Sequence, residues 1–224
     1  MSATSPVGLI FDMDDTLAAT TAVWRQAERR LFASVGQTFD EDLARKYKGM
    51  NALDLAAVVH RELQLDEDLP ALQQRMRSYL IEAFAAVAIE PMPGSVELVR
   101  RVARLGPSAV ASGSPQQAID VVLDRLGLAD AFDITLSSEA VPRGKPAPDV
   151  FLAAADRLGI APACCVVFED SLVGVQAARA AGMACFVVPS LPDPAIAGVA
   201  SQVLASWCDL ERSHVEQHCR LRPA

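Results

Sequence analysis

A chain of 224 residues that is 51% hydrophobic but only 5% aromatic can bury one sizeable core, and its Ala- and Val-rich make-up suits helices packed on a sheet. A formal charge of −8 argues against nucleic acid or an anionic membrane as main partner, so an anionic substrate must find positive charge supplied locally. The odd set Cys164, Cys165, Cys185, Cys208 and Cys219 excludes a simple disulfide framework; with no basic leader and no apolar run of roughly 20 residues, the chain reads as soluble and cytoplasmic.

Residues 7–10, with Phe11 beyond them, form an apolar run between Pro6 and a cluster of acids, which predicts a buried strand ending at Asp12, Asp14 and Asp15. Helical periodicity follows, with Trp24, Ala27, Leu31 and Val35 on one stripe, then Leu55, Val59 and Leu63 on another that Asn51 and Asp54 would cap. A third helical stretch covers about 69–88, and the prolines and glycine of 90–94 end it. Helices at 95–105, 116–126, 148–158 and 172–181 then alternate with strands at 108–112, 133–138, 164–170 and 184–189, before a helical tail from about 206. Such alternation predicts an α/β fold with a Rossmann-like, doubly wound parallel sheet. The expected core is residues 1–17 and 91–224, with 18–90 as an inserted helical cap domain.

Four polar clusters stand where strands end: Asp12 with Asp14; Ser112 with Gly113 and Ser114; Lys145; and Glu169 with Asp170. In a parallel sheet all four can meet at one edge. Hard oxygens from Asp12, Asp170 and the Asp14 backbone carbonyl suit Mg²⁺. Asp12 is then placed to attack phosphorus, with Lys145 offsetting the repulsion between anions, and Asp14 to move protons to and from oxygen. Ser112 and the N–H groups of Gly113 and Ser114, opening a helix, would hold phosphoryl oxygens. The chain has three lysines against 17 arginines, which gives the ammonium at 145 added weight.

In this order FDMDDTL, ASGS, GKPAPD and FEDS resemble the haloacid dehalogenase superfamily of phosphohydrolases, and the resemblance covers nearly the whole chain. It implies a Rossmann-like core, Mg²⁺, Asp12 as nucleophile, Asp14 as acid and base, Ser112 as phosphate ligand and Lys145 as the charge-balancing lysine. Asp170 is the implied metal ligand, with Glu169 a second. The helical insert is similar to the cap of the group that includes β-phosphoglucomutase and small sugar-phosphate phosphatases, and similarity to hexitol-phosphate and 2-deoxyglucose-6-phosphate phosphatases extends to Trp24, Arg25, Ala27 and Glu28. The expected activity is therefore hydrolysis of a small phosphorylated metabolite, a sugar or sugar-alcohol phosphate, through an aspartyl-phosphate.

Departures from the family pattern bear on the alternatives. Asp15 stands where glycine is common, and Ala19, Thr20 and Thr21 where Asp-Ser-Glu is common. The mutase's phosphate-binding arginine falls on Ala52, its hinge histidine on Trp24 and a lysine on Pro115, which disfavours a phosphoryl mutase. Asp14 argues against dehalogenases and phosphonatases, which lack that acid. A non-catalytic binding protein on the same fold remains the rival from another class, and the sequence has no signature of an oligomer.

Each residue also has a plainer reading. The acids could be solvated turn residues or helix caps, Ser112 a turn residue, Lys145 a surface lysine, and Glu169 a structural acid. In the insert, Lys48, Asn51 and Trp24 are candidates for contacting a sugar or closing the site, though Trp24 could equally be core and Lys48 an ordinary exposed lysine. His214 and His218, with Cys219 beside them, are spaced for a metal on a helix, but a solvated tail helix suits them better.

Overall fold

Four residues, Gly8–Phe11, form the strand (β1) around which the molecule is arranged. The computed structural model describes residues 6–191, 193–211 and 213–215. On one side of β1 lie β2 (Ser108–Ser112) and then β3 (Ile134–Ser137); on the other lie β4 (Cys165–Glu169), β5 (Ala184–Val187) and the two-residue β6 (Gln202–Val203). All pairings are parallel. The chain runs outward from β1 to β3 and then crosses back to β4 on the other side of β1, so the carboxyl ends of β1 and β4 form a switch point, where a crevice opens.

Helices α1 (Thr21–Ser34), α2 (Glu41–Lys46), α3 (Ala52–Glu62) and α4 (Leu69–Ala86) come between β1 and the rest of the fold. Beyond them α5 (Ser95–Val102), α6 (Gln116–Arg125), α7 (Asp149–Leu158), α8 (Leu172–Ala180) and the single turn α9 (Pro194–Ala197) alternate with the strands. Strand periodicity assigns the two faces of the sheet. Leu9, Phe11, Val110, Val166, Phe168 and Phe186 belong to a core shared with the first helices, whereas Ile10, Ala109, Ala111, Val167 and Cys185 pack with Val150, Phe151 and Ala154 of α7. Phe11 and Phe168 stack with centroids 4.3 Å apart.

Two antiparallel connections join the first four helices to the sheet. The Ala19 N–H donates to the Glu90 carbonyl at 2.9 Å and the Met92 N–H to the Leu17 carbonyl at 2.9 Å, with Ala18 bridged to Pro91. Elsewhere Arg125 of α6 donates to the carbonyls of Phe84, Ala85 and Val87, satisfying the end of α4. Arg77 of α4 holds Glu139 at 3.1 Å.

Several expectations change. α2 has no counterpart in the periodicity reading; its marks are an Asp40 side chain accepting from the Asp42 and Leu43 N–H groups, acids in the first turn and bases in the last. α9 and β6 are too short to leave a pattern. Where a helical tail is expected to begin, at 206, residues Trp207–Asp209 form a single 3₁₀ turn and, among the described residues beyond it, helix is seen only at 213–215, because Trp207 is an anchor: its indole is buried edge-on to Phe168 and donates to the Thr16 carbonyl at 3.0 Å. His214 lies in a short helical turn and its Nδ1 accepts from the Glu211 N–H, while His218 and Cys219 lie outside the described residues. Asn51 caps α3 as expected, accepting from the Asp54 N–H at 2.8 Å. Among the described residues no helix is long and apolar enough to cross a membrane, and Cys164, Cys185 and Cys208 are free thiols.

Candidate active site

The carboxyl ends of β1, β2 and β4, together with the loop after β3, bring Asp12, Asp14, Ser112, Lys145, Glu169 and Asp170 to one crevice. β1 is continued by the Asp12 N–H, which donates to the Phe168 carbonyl of β4 at 2.9 Å. Its side chain receives the Lys145 ammonium at 2.7 Å, and the same ammonium donates to Glu169 at 2.7 Å. All three groups are buried. A compact point charge can serve two carboxylates in so tight a space where a planar guanidinium fits poorly.

Glu169 holds this arrangement from behind. Its Oε1 accepts from Lys145, and its Oε2 accepts from the N–H groups of Asp170 and Ser171 and from the Ser171 hydroxyl, each at 2.9 Å. Gly174 is required beside it, since a Cβ there would lie 1.7 Å from Oε1. Burial alone would raise the Glu169 carboxyl, but Lys145 and the donors of Ser171 and Asp170 hold it below the ordinary value. For Lys145 burial opposes the charge, while Asp12 and Glu169 more than restore it and raise its pKa. Asp12 and Asp170 go the other way: burial and neighbouring carboxylates push Asp12 well above the usual range and Asp170 to about 7.

Three buried acids, with Lys145 between Asp12 and Glu169 and Lys48 beside Asp170, leave an excess of negative charge. Oxygens of Asp12, Glu169 and Asp170 lie within 4.8 Å of one another. The Ser190 hydroxyl and the Lys48 ammonium, the latter at 3.3 Å, meet one oxygen of Asp170. Among the described residues no hydrogen bond reaches Oδ2 of Asp12 or Oδ1 of Asp170. Hard, unpartnered oxygens in an electron-rich crevice fit Mg²⁺. The Asp14 carboxylate, expected as a donor, lies outside this cluster, and Glu169 within it has both oxygens already engaged.

Asp14 accepts four hydrogen bonds. Oδ1 takes the Thr20 hydroxyl at 2.8 Å and the Trp24 indole N–H at 2.9 Å; Oδ2 takes the hydroxyls of Ser112 at 2.8 Å and Ser114 at 2.9 Å. Trp24 is thus part of the site as well as of the apolar packing. The Ser114 N–H donates to Ser112 Oγ at 3.0 Å, whereas no acceptor among the described residues takes the Gly113 N–H. That amide borders the crevice ahead of α6.

Asp15, where the family usually has glycine, adopts φ +56°, the left-handed conformation that glycine favours and aspartate tolerates better than most residues. It is a buried acid, not a solvated one. It accepts from the N–H groups of Thr20 and Thr21 at 3.0 Å, the Thr21 hydroxyl at 2.6 Å and the Lys48 ammonium at 3.0 Å. Burial would raise its carboxyl, but Lys48 and the threonines bring it below the ordinary value. The departures at 15, 20 and 21 therefore belong together.

Lys48 reaches the crevice from the loop between α2 and α3. Asn51 follows it, but its amide is spent on Asp54, to which Nδ2 donates at 2.6 Å. The loop lies so close that a Cβ at Gly49 would sit 2.2 Å from Val173, and one at Gly144 2.0 Å from Asn51. Two residues of α1, Arg25 and Glu28, also line the crevice and were not singled out as site residues from the sequence. The available signal was an acid at i+4 from Trp24 beside the apolar stripe.

Residues 7–182 match the family model of the haloacid dehalogenase-like hydrolases. The chain is 37% identical over 176 residues to fructose-1-phosphate phosphatase YqaB of Escherichia coli, covering 79% of this chain and 93% of that protein. It is 32% identical over 176 residues to the phosphorylated carbohydrates phosphatase of Thermotoga maritima, covering 78% and 81%. The crystal structure of β-phosphoglucomutase from Clostridium difficile superposes with a TM-score of 0.83 over 96% of this chain and 97% of that one; at 22% identity this likeness concerns the fold.

Proposed function

The chain belongs to the haloacid dehalogenase-like hydrolases, and from that membership we propose that it is an Mg²⁺-dependent phosphatase of small phosphorylated carbohydrates, sugar or sugar-alcohol phosphates, acting through an aspartyl-phosphate. The observation that carries this reading is the Lys145 ammonium shared between Asp12 and Glu169 at the end of the central strand. It fixes the Asp12 carboxylate while reducing its repulsion toward a phosphate.

In the first step an oxygen of Asp12 bonds to phosphorus and the phosphorus–oxygen bond to the sugar breaks. Asp14, carrying a proton, hands it to the departing oxygen. The hydroxyls of Ser112 and Ser114, which meet Asp14 in this structure, are rotors that can turn to phosphoryl oxygens, and the Gly113 N–H supplies a further donor. In the second step Asp14 takes a proton from water, whose oxygen attacks phosphorus and breaks the bond to Asp12, releasing phosphate. Asp12, Asp170 and the Asp14 carbonyl are the groups that would hold Mg²⁺, which when bound neutralises and orients phosphoryl oxygens.

We read residues 18–90 as a cap over a core of residues 1–17 and 91–224. The paired connections around Ala18 and Pro91 are its pivot, and closure excludes bulk water. Ala52, buried in α3, gives a second phosphate no cation where the mutase has arginine, so net hydrolysis is favoured over phosphoryl transfer within the substrate. The test is phosphate release from hexose, deoxyhexose, hexitol, pentose and glycolate phosphates. Release that requires Mg²⁺, stops with EDTA and falls at least ~10³-fold in Asp12→Asn supports the reading. Isomerised product without phosphate would replace it with a mutase.

A further inference from the structure

Above the phosphoryl-transfer groups the crevice is walled by Thr21, Trp24, Arg25, Glu28, Tyr47 and Met50. Within this wall Glu28 is the anomaly, a carboxylate only 4% exposed on a helix face otherwise devoted to Val23, Ala27 and Leu31. Arg25 donates to its Oε2 at 2.8 Å, and the same guanidinium lies 5.5 Å from the centre of the Phe39 ring, so the pair is held in place. No hydrogen bond reaches Glu28 Oε1 among the described residues, although that oxygen belongs to a group lining the crevice. With its other oxygen held by Arg25, that acceptor faces the crevice, and its natural complement is a ligand hydroxyl.

The charges around it sharpen the chemistry. Arg25 is balanced by Glu28, and Lys48 is engaged by Asp15 and Asp170. The wall therefore has no spare cation for a second anionic group, while Glu28 repels one. A hydroxyl-rich neutral group gains twice, donating to Glu28 and accepting from the guanidinium. We infer that Arg25 and Glu28 are specificity-determining residues that select an uncharged polyhydroxylated leaving group and reject leaving groups bearing a carboxylate or a second phosphate. The inference rests on the phosphatase reading and adds to it which part of the substrate is chosen, and by what.

The experiment uses the full chain with Mg²⁺ and four probes: a hexitol monophosphate, a hexose bisphosphate, phosphoglycolate, and p-nitrophenyl phosphate, whose leaving group lacks both hydroxyl and charge beyond the ring substituent. Wild type should show kcat/KM at least ten-fold higher for the hexitol phosphate than for phosphoglycolate or the bisphosphate. In Glu28→Gln, the ratio of kcat/KM for the hexitol phosphate to that for p-nitrophenyl phosphate should fall about ten-fold, while the corresponding phosphoglycolate ratio rises. A purely structural role for Glu28 would lower all rates together and leave the ratios fixed, which would overturn the inference. So would a wild-type preference for either charged leaving group, a result independent of whether the variant folds. Failure of wild type to hydrolyse any probe, p-nitrophenyl phosphate included, would remove the phosphatase reading itself, and the two failures are therefore distinct.

Discussion

The two walls of the crevice are built on different physical terms. On the sheet side, Asp12, Ser112 and Glu169 end or follow strands buried on both faces, and their side chains are locked by short contacts such as the shared Lys145. On the helical side, Trp24, Arg25, Glu28 and Lys48 come from one helix and one loop, with partly exposed ion pairs. The strand ends fix charge where phosphorus must sit; the helices set what lies beyond it. Chemistry and selectivity are thus separable, and perturbing each wall should show different symptoms.

The largest effect is expected from Lys145→Met. It leaves Asp12 and Glu169 buried without their cation, so thermal denaturation should register a loss of about 3–5 kcal/mol. Phosphate release should fall by on the order of 10²–10³ as well. A stable variant with near-normal turnover would dissolve the distinction between the walls.

Metal removal should expose the same strained charge through pH. An acid whose folded pKa is raised holds its proton more tightly when folded, so its stabilising contribution is full below the unfolded value and declines as pH climbs through the folded one. For Asp170 that window runs from 3.8 to about 7, and Asp12 acts in the same direction. Glu169, lowered, has finished titrating by then and Lys145 stays charged. Denaturant unfolding in EDTA should therefore show stability falling between about pH 5 and 7.5, by up to about 1.4 kcal/mol per pH unit for each group. Saturating Mg²⁺ should flatten that slope; an equal slope with metal would place the strain elsewhere.

Smaller effects belong to the helical side. Asp15→Gly relaxes a left-handed backbone, which taken alone would stabilise, yet it deletes the acceptor for Thr20, Thr21 and Lys48. The lost hydrogen bonds should win, leaving a net loss of about 1–3 kcal/mol by calorimetry. Lys48→Met should cost about 1–2 kcal/mol, less than Lys145→Met, because the ammonium itself is partly solvated although Asp15 and Asp170 are buried. Its signature should be a raised KM with kcat changed less than in Lys145→Met.

The same contrast explains what was legible in the sequence. An apolar run ending in acids announces a strand end, and parallel alternation announces that strand ends converge; Asp12, Ser112, Glu169 and Asp170 follow from those two rules. Lys145 follows from its position after β3. The helical wall follows from side-chain direction, which spacing does not encode: Trp24 has the look of core yet donates to Asp14, and Asn51, a candidate sugar contact, is consumed by its own cap. Asp15 was hardest, since a left-handed aspartate wired to two threonines and a lysine 33 residues away resembles an ordinary turn acid. The missed α2 and the misplaced start of the tail share one cause, that short elements owe their shape to a cap or an anchor such as Trp207.

That tryptophan bears on how the protein is made. Its indole bonds a carbonyl 191 positions earlier, in the loop that carries the first acids. The central strand is made before the other five of its sheet, but its neighbours on either side are residues 108–112 and 165–169, and a further clasp on its loop is at 207. A growing chain therefore carries its acid cluster without neighbouring strands until residues 108–112 and 165–169 have been made, and the charge-balanced crevice forms only after Lys145 and Glu169 have followed.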